Sequence, residues 1–324
     1  MVNEIALTAV TGTYGCTRAL KDGAVRPEGF SLRFEEVTPI IRAFRRMVRG
    51  TEFDVCEMAF TTYLVARAHG KPFTALPVFP VRAFHHGAIT RGAGTRGTGG
   101  HGTGGHAIEP RELAGRRVGV NRGYTVTTGV WARGILADEY GLDPGDVTWV
   151  LSGDEHVAEF RPPPNVVSAD GQDVPGMVAS GELAAGVGIP PADGLVPLIP
   201  DPEEAAYRAL RSRGLYPINH LVVVRDELLE AHPDLAPSLF AAYAEAKARY
   251  VSLLRYGAIA NSGPDDRVYQ RVAEITGADP LPYGVEPNRP MIDQLVRHAV
   301  EQKILAEPVA AEDLFAAPTL GLAG

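Results

Sequence analysis

The sequence predicts an α/β protein of two lobes whose sheets are mainly parallel. Three observations carry this. Short apolar runs alternate with segments of helical periodicity almost throughout. Turn residues separate them, and no internal repeat is present. Residues near 1–83 and 220–324 are expected to form one lobe and residues near 84–219 the other, joined by crossing strands. A ligand would then sit in a cleft between lobes, at the carboxyl ends of strands and facing helix N-termini.

The elements follow in order. Ile5 to Val10 is an apolar run that stops at the turn Thr11-Gly12-Thr13-Tyr14-Gly15, which reads as strand then loop. Leu32 to Val37 alternates with charge as a second strand would. From Pro39 to Arg49 the apolar Ile40, Ile41, Phe44, Met47 and Val48 share one helical face. Phe53 to Met58 is a short strand, and a helix from Thr61 to His69 ends at Gly70. Ala75 to Val81 holds two prolines, so it is extended and suits a sheet edge. Arg91 to His106 is Gly/Thr-rich and reads as a mobile loop. Leu113 to Val120 turns into a strand, Thr125 to Tyr140 is a helix closed by Gly141, and Val147 to Leu151 is a strand. Pro162 to Val174 reads as loop, Gly176 to Leu183 as a short helix, and Val187 to Pro200 as irregular chain. Pro202 to Arg213 is helical and Asn219 to Val224 is a strand. Asp226 to Leu229 and Leu235 to Tyr256 form a helix pair, and Asn288 to Lys303 is a final amphipathic helix.

At 45% hydrophobic residues the 324-residue chain can bury a real core. Its formal net charge of -8 argues against nucleic acid or an anionic membrane as the main partner, since both attract a basic face. A small anionic ligand is still compatible, because a few local Arg and His suffice to hold one. The two cysteines, Cys16 and Cys56, are expected as reduced thiols. The opening Met1-Val-Asn-Glu-Ile-Ala-Leu lacks the basic and apolar regions of an export leader, and no apolar run reaches the length of a membrane span. A cytoplasmic location is therefore expected, and a homo-oligomer is left open.

Several segments resemble one enzyme family. They are Phe44-Arg45-Arg46-Met47, Glu52 to Met58, Pro77-Val78-Phe79-Pro80, Tyr124 to Leu136, and Asp138-Glu139-Tyr140-Gly141. Tyr216 to His220, Pro282 to Arg289 and Glu301-Gln302-Lys303 complete the set. Taken in order over nearly the whole chain, they resemble the 4,5-dihydroxyphthalate decarboxylases. The resemblance implies a periplasmic-binding-protein-like fold of the second type that carries enzyme chemistry. Three places depart from the family pattern, one being a Gly/His loop longer than the usual one. Phe84-His85-His86-Gly87 stands where Phe-Arg-His-Ser is usual, and Gly181-Glu182-Leu183-Ala184-Ala185 lacks an aspartate. The departures bear on the substrate and not on the fold.

Aromatic decarboxylation of the kind implied needs a proton delivered to the ring carbon that bears the carboxylate, donors for the carboxylates, and a dry site. Histidine suits the acid. His86 comes first, because it follows an apolar extended segment at the lobe crossing and matches a family histidine. His220 comes second, at the start of the returning strand. For both, a structural histidine at the hinge is the competing reading. His85 is a weaker acid candidate, since neighbours on a strand point oppositely. It is kept as a substrate contact. Glu57, read as ending its strand just before a helix, would orient a histidine or take a phenolic proton, or else serve backbone donors at that helix start. Thr61 and Thr62 offer hydroxyls at one helix start, with a capping role alone as the competing reading, and Tyr124, Thr125 and Thr127 surround another that is suited to a carboxylate. Thr13 and Tyr14 fill the loop after the first strand, where they would close over a ligand. Arg45 and Arg82, with Arg18, are candidate carboxylate forks, with a solvated or salt-bridged surface arginine as the competing reading for each.

No metal and no cofactor are expected. His101 and His106 lie in the glycine loop without a compact ligand motif, and no dinucleotide or phosphate loop occurs in a strand-to-helix context. The expected activity is thus a cofactor-independent decarboxylation of a hydroxylated aromatic carboxylate. A solute-binding protein or sensor for an aromatic acid, and a different lyase on the same fold, are the competing readings.

Overall fold

A computed structural model describes residues 4–97, 106–169, 171–189 and 192–324. His101 lies outside these residues. The chain divides into two compact units. One comprises Met1–Arg82, Ile218–Asp293 and Val309–Gly324, and the other Ala83–Pro217 and Gln294–Pro308.

In chain order the first unit holds β1 (Ile5–Val10), α1 (Gly15–Lys21), β2 (Phe30–Phe34), α2 (Ile41–Gly50), β3 (Val55–Ala59), α3 (Phe60–Ala68) and β4 (Phe73–Arg82). The second unit follows with β5 (Ile89–Gly92), β6 (Arg117–Val120), α4 (Thr127–Tyr140), β7 (Thr148–Leu151), β8 (Val166–Ser168), α5 (Val174–Ser180), β9 (Ala185–Val187), β10 (Leu195–Pro197) and α6 (Pro202–Arg213). The chain returns through β11 (Ile218–Arg225), α7 (Asp226–Ala231), α8 (Leu235–Arg255), α9 (Pro264–Thr276), α10 (Arg289–Glu301) and α11 (Ala311–Leu314).

Among the described residues the first unit carries a five-stranded sheet in the order β2-β1-β3-β11-β4. β1 is parallel to β2 and β3, whereas β11 runs antiparallel to β3 and β4. β4 leads the chain out of this unit and β11 leads it back, so their opposite sense follows from connectivity. The prolines Pro77 and Pro80 are accommodated because β4 is an edge strand. β3 is buried at every residue, as a central strand covered on both faces must be. The second unit has a six-stranded sheet in the order β10-β5-β9-β6-β7-β8. β6, β7, β8 and β9 pair in parallel, and β5 is antiparallel to β9 and β10. Both sheets are therefore mixed, with antiparallel pairs at the crossing strands and at β5.

Several elements differ from expectation. The segment 162–174, read as loop, contains β8, and the chain read as irregular from Val187 contains β10. These strands are three residues long, too short for a periodic signal. The stretch 91–106 is not loop throughout: Arg91 and Gly92 end β5, and Arg96 bridges Ala107. Residues 294–308 were expected with the first unit and belong to the second. The reason is polar as well as apolar. Arg297 bonds Asp138 of α4, and Gln302 accepts from Arg133 Nε at 2.7 Å and donates to the Val130 carbonyl at 2.9 Å.

The cores differ in reporter residues. Both cysteines are buried free thiols in the first unit, and both tryptophans, Trp131 and Trp149, are buried in the second. Among the described residues no helix is long and apolar enough to cross a membrane.

Candidate active site

The first unit gathers its titratable groups around Glu57. Antiparallel pairing sets Val222 opposite Glu57 and His220 opposite Ala59. Residues two apart on a strand share a face, so Glu57 and His220 are diagonal neighbours across the β3–β11 pair, within reach of long side chains. β1 lies on the other side of β3, with Val10 beside Cys56, so the loop that leaves β1 folds over Glu57.

The Glu57 carboxylate is wholly buried, and each of its oxygens receives two donors. Oε1 accepts from the Tyr14 hydroxyl at 2.8 Å and faces His220 Nδ1 at 2.6 Å. Oε2 accepts from the Thr11 hydroxyl at 2.9 Å and the Gly12 amide at 2.7 Å. Burial alone would raise this carboxyl. The hydrogen bond and charge of His220, then the Gly12 amide and the Tyr14 hydroxyl, outweigh it and hold the group below the ordinary carboxylate range. Against an ionised carboxylate, His220 Nδ1 carries hydrogen and donates. Nε2 of His220 makes no hydrogen bond among the described residues, and the side chain keeps 17% of its surface exposed. The edge of Phe44, with ring centroids 5.0 Å apart, braces the imidazole. The site is thus a carboxylate–imidazole pair with one ring nitrogen fixed and the other presented outward.

The loop over Glu57 is itself pinned. Lys21 Nζ donates to the Thr11 carbonyl at 3.0 Å and to the Thr13 hydroxyl at 2.7 Å, and pairs with Glu36 at 2.6 Å. Gly12 is required by packing, since a Cβ there would fall 2.2 Å from Cζ of Tyr14. Tyr14 is the N-cap residue of α1. Its amide donates to the Thr17 hydroxyl at 2.9 Å, which in turn donates to the Gly12 carbonyl at 2.7 Å. Lys21, Gly12 and Phe44 were not identified from the sequence. The glycine inside a Thr-Gly-Thr-Tyr-Gly turn was the one available signal.

The other first-unit candidates lie as follows. Thr13 is exposed, and its hydroxyl is taken by Lys21. Thr61 and Thr62 are buried in the first turn of α3. Arg45 is half-buried on α2. Arg82, the last residue of β4, is buried and donates to Asn288 Oδ1. Glu57 lies in the middle of β3 and does not end it as expected, so its oxygens serve a loop and a neighbouring strand instead of a helix start.

In the second unit His86 is wholly buried, and its Nε2 meets Glu139 at 3.0 Å. Glu139 also pairs with Arg213. Nδ1 of His86 is buried with no hydrogen-bond partner among the described residues. His85 is buried just ahead of the short turn of helix at His86–Ala88. Tyr124, Thr125 and Thr127 stand at the start of α4, as expected, but a protein carboxylate occupies donors of the first two. Glu155 accepts from the Tyr124 amide, from the Thr125 amide at 3.2 Å and from the Thr125 hydroxyl at 2.5 Å. Behind them the Arg133 guanidinium stacks 3.9 Å from the Tyr124 ring and donates to the Tyr124 carbonyl at 2.6 Å. Glu155 lies 30 residues from Thr125, and no spacing in the sequence announced it. His106 faces Glu112 at 2.9 Å, and among the described residues no three His, Cys, Asp or Glu are grouped as a metal site requires.

A 4,5-dihydroxyphthalate decarboxylase of Comamonas testosteroni is 29% identical over 336 aligned positions, covering 97% of each protein. One of Pseudomonas putida is 34% identical over 198 residues, covering 58% of this chain and 72% of that protein. The chain belongs to the 4,5-dihydroxyphthalate decarboxylase family. It is accordingly a decarboxylase, an enzyme of the carboxy-lyase class. No family model matches the chain. Among solved structures, a Candida albicans protein described as having the generic periplasmic binding protein fold matches with a TM-score of 0.54 at 13% identity, over 98% of each chain. The aliphatic sulphonate binding protein SsuA of Escherichia coli matches at 0.51 and 12%, over 96% of this chain and 91% of that one. The decarboxylase thus has a periplasmic-binding-protein-like type II fold, and at these identities the likeness speaks to fold alone.

Proposed function

We propose that this decarboxylase removes one carboxylate from a hydroxylated aromatic acid, such as 4,5-dihydroxyphthalate or a related small acid, and that His220 supplies the proton that replaces it. The observation that carries this reading is the Glu57–His220 pair. Nδ1 is tied to a buried carboxylate, and Nε2 makes no hydrogen bond among the described residues. The relatives' names supply the substrate class.

The reaction balances without a cofactor. A ring hydroxyl para to the carboxylate pushes electron density toward the carbon that bears it. The Nε2 proton moves to that carbon, and the ring briefly loses its aromaticity. The carbon–carboxylate bond then breaks, CO2 leaves, and its electron pair restores the ring. From 4,5-dihydroxyphthalate the product is 3,4-dihydroxybenzoate. Glu57 stays ionised throughout, stabilises the imidazolium before transfer and holds the ring in place while His220 regains a proton from water. Within the first unit Arg45, Arg82, Thr61 and Thr62 are the side chains we assign to substrate contact, with the guanidiniums serving carboxylates. His86, bound by Glu139, is assigned no proton transfer. The setting we infer is cytoplasmic, in keeping with two free thiols.

The test is to mix the protein with a panel of hydroxylated phthalates and follow CO2 release and product mass. In D2O the product gains one deuterium at the vacated ring carbon. His220→Gln, whose amide can still donate to Glu57, should lower kcat by about 10²–10⁴-fold while keeping a cooperative melt. Wild-type turnover in that variant would remove His220 from the mechanism.

A further inference from the structure

We infer that Tyr14 is a positioning residue for the decarboxylation: its hydroxyl shares one Glu57 oxygen with His220, weakens the grip of that carboxylate on the imidazole proton, and so tunes His220 as an acid. The inference rests on the Glu57–His220 reading above and adds a residue to it.

The geometry is specific. Tyr14 and His220 both address Oε1, at 2.8 and 2.6 Å, while Thr11 and Gly12 address Oε2. The Tyr14 ring lies over Gly12, in space that any side chain at position 12 would fill. The backbone on either side is fixed by the Thr17 hydroxyl, which accepts from Tyr14 and donates to Gly12. The phenol is therefore delivered to Glu57 by the fold and is not free to close over a ligand. A neutral donor on a carboxylate oxygen stabilises the anion and makes it a poorer base. A poorer base pulls less on the Nδ1 hydrogen, and the proton at Nε2 becomes easier to give away.

The groups facing this cluster leave Tyr14 as the tunable donor. Cys16 on α1 and Cys56 on β3 are thiols, the first pushed up to about 12 by burial and the second also raised by burial, so both stay neutral. The Tyr243 phenol, from α8, is raised by burial and then by the Glu57 charge. The Tyr14 phenol is raised in the same way, which keeps it a donor throughout the working range. Asp265, at the start of α9, adds negative charge toward Tyr14, and Lys21 reaches the cluster through the Thr11 carbonyl.

The experiment measures kcat and KM for 4,5-dihydroxyphthalate against pH in wild type, Tyr14→Phe, Tyr14→3-fluorotyrosine and His220→Gln. Alongside, the imidazole of His220 is titrated by ¹⁵N NMR. Removing the hydroxyl makes Glu57 more basic and strengthens its hold on the imidazolium. Both limbs of the Tyr14→Phe profile should therefore move to higher pH, by about half to one unit. Plateau kcat should fall by about three- to ten-fold, with KM within about two-fold of wild type. The fluorinated phenol keeps the shape and donates more strongly, so its limbs and NMR midpoint should move the other way. A role in folding alone would not reverse sign between the two variants. Unchanged limbs and midpoint in both would overturn the inference even with His220→Gln inactive, whereas full activity in His220→Gln would instead overturn the mechanism beneath it. If Tyr14→Phe does not fold, the fluorotyrosine protein decides alone.

Discussion

A carboxylate removed from water is costly unless every lone pair finds a donor, and Glu57 meets that condition with four donors, one of which, His220, is able to carry positive charge. Glu57→Gln replaces the acceptor with an amide that cannot serve all four. We expect a loss of about 1–3 kcal/mol at neutral pH, read from thermal melts, and a fall in kcat of about 10²-fold. The acid limb should also change. Glu57 is held below its ordinary value of 4.5 in the folded chain, so its ionised form contributes full stability above that value. The contribution is lost as pH falls through the lowered one. The wild-type melting temperature should therefore drop more steeply in acid than that of Glu57→Gln, and parallel curves would contradict the assignment. Part of this site was legible in the sequence. Glu57 drew notice as a carboxylate expected at the end of a strand just before a helix, and His220 as a histidine opening a strand. That they meet across 163 positions depends on the register of β3 against β11, which no local pattern encodes. Tyr14 was legible as a loop aromatic, but the direction of its hydroxyl depends on the absent side chain of Gly12.

Elements were legible where an apolar segment of helical length and a stop coincided. The helix expected from Thr125 to Tyr140 is α4, Thr127–Tyr140, and Gly141 closes it in the left-handed region that glycine adopts without strain. α1 was not read, because seven residues opening in a Gly-rich turn show no period. α9 was not read either: only Tyr269 and Val272 are buried along it, too few for a stripe. At the α4 start the sequence announced donors but not the acceptor that fills them. Glu155→Ala would leave two amides and a hydroxyl without that acceptor, and should cost about 1–2 kcal/mol of second-unit stability in denaturant melts. Glu155→Gln, which keeps one acceptor oxygen, should cost less. Equal loss in the two variants would show that the acceptor oxygens of Glu155 are not what holds the chain entering α4.

For the whole molecule, the return of the chain through β11 was legible from an apolar strand following a helix. The placement of 294–308 was not. An amphipathic stripe on α10 says that one face is buried but not against which unit, and the choice rests on Arg133, Asp138 and their partners. The separation of cysteines from tryptophans has a practical consequence. Each unit carries its own intrinsic optical or chemical signal, with thiol labelling blind to the second and indole emission blind to the first. During chemical denaturation Glu57→Gln should shift the labelling curve and Glu155→Ala the emission curve. If each variant moves one trace alone, the decarboxylase melts in two stages. If either moves both together, the two units share a single cooperative transition.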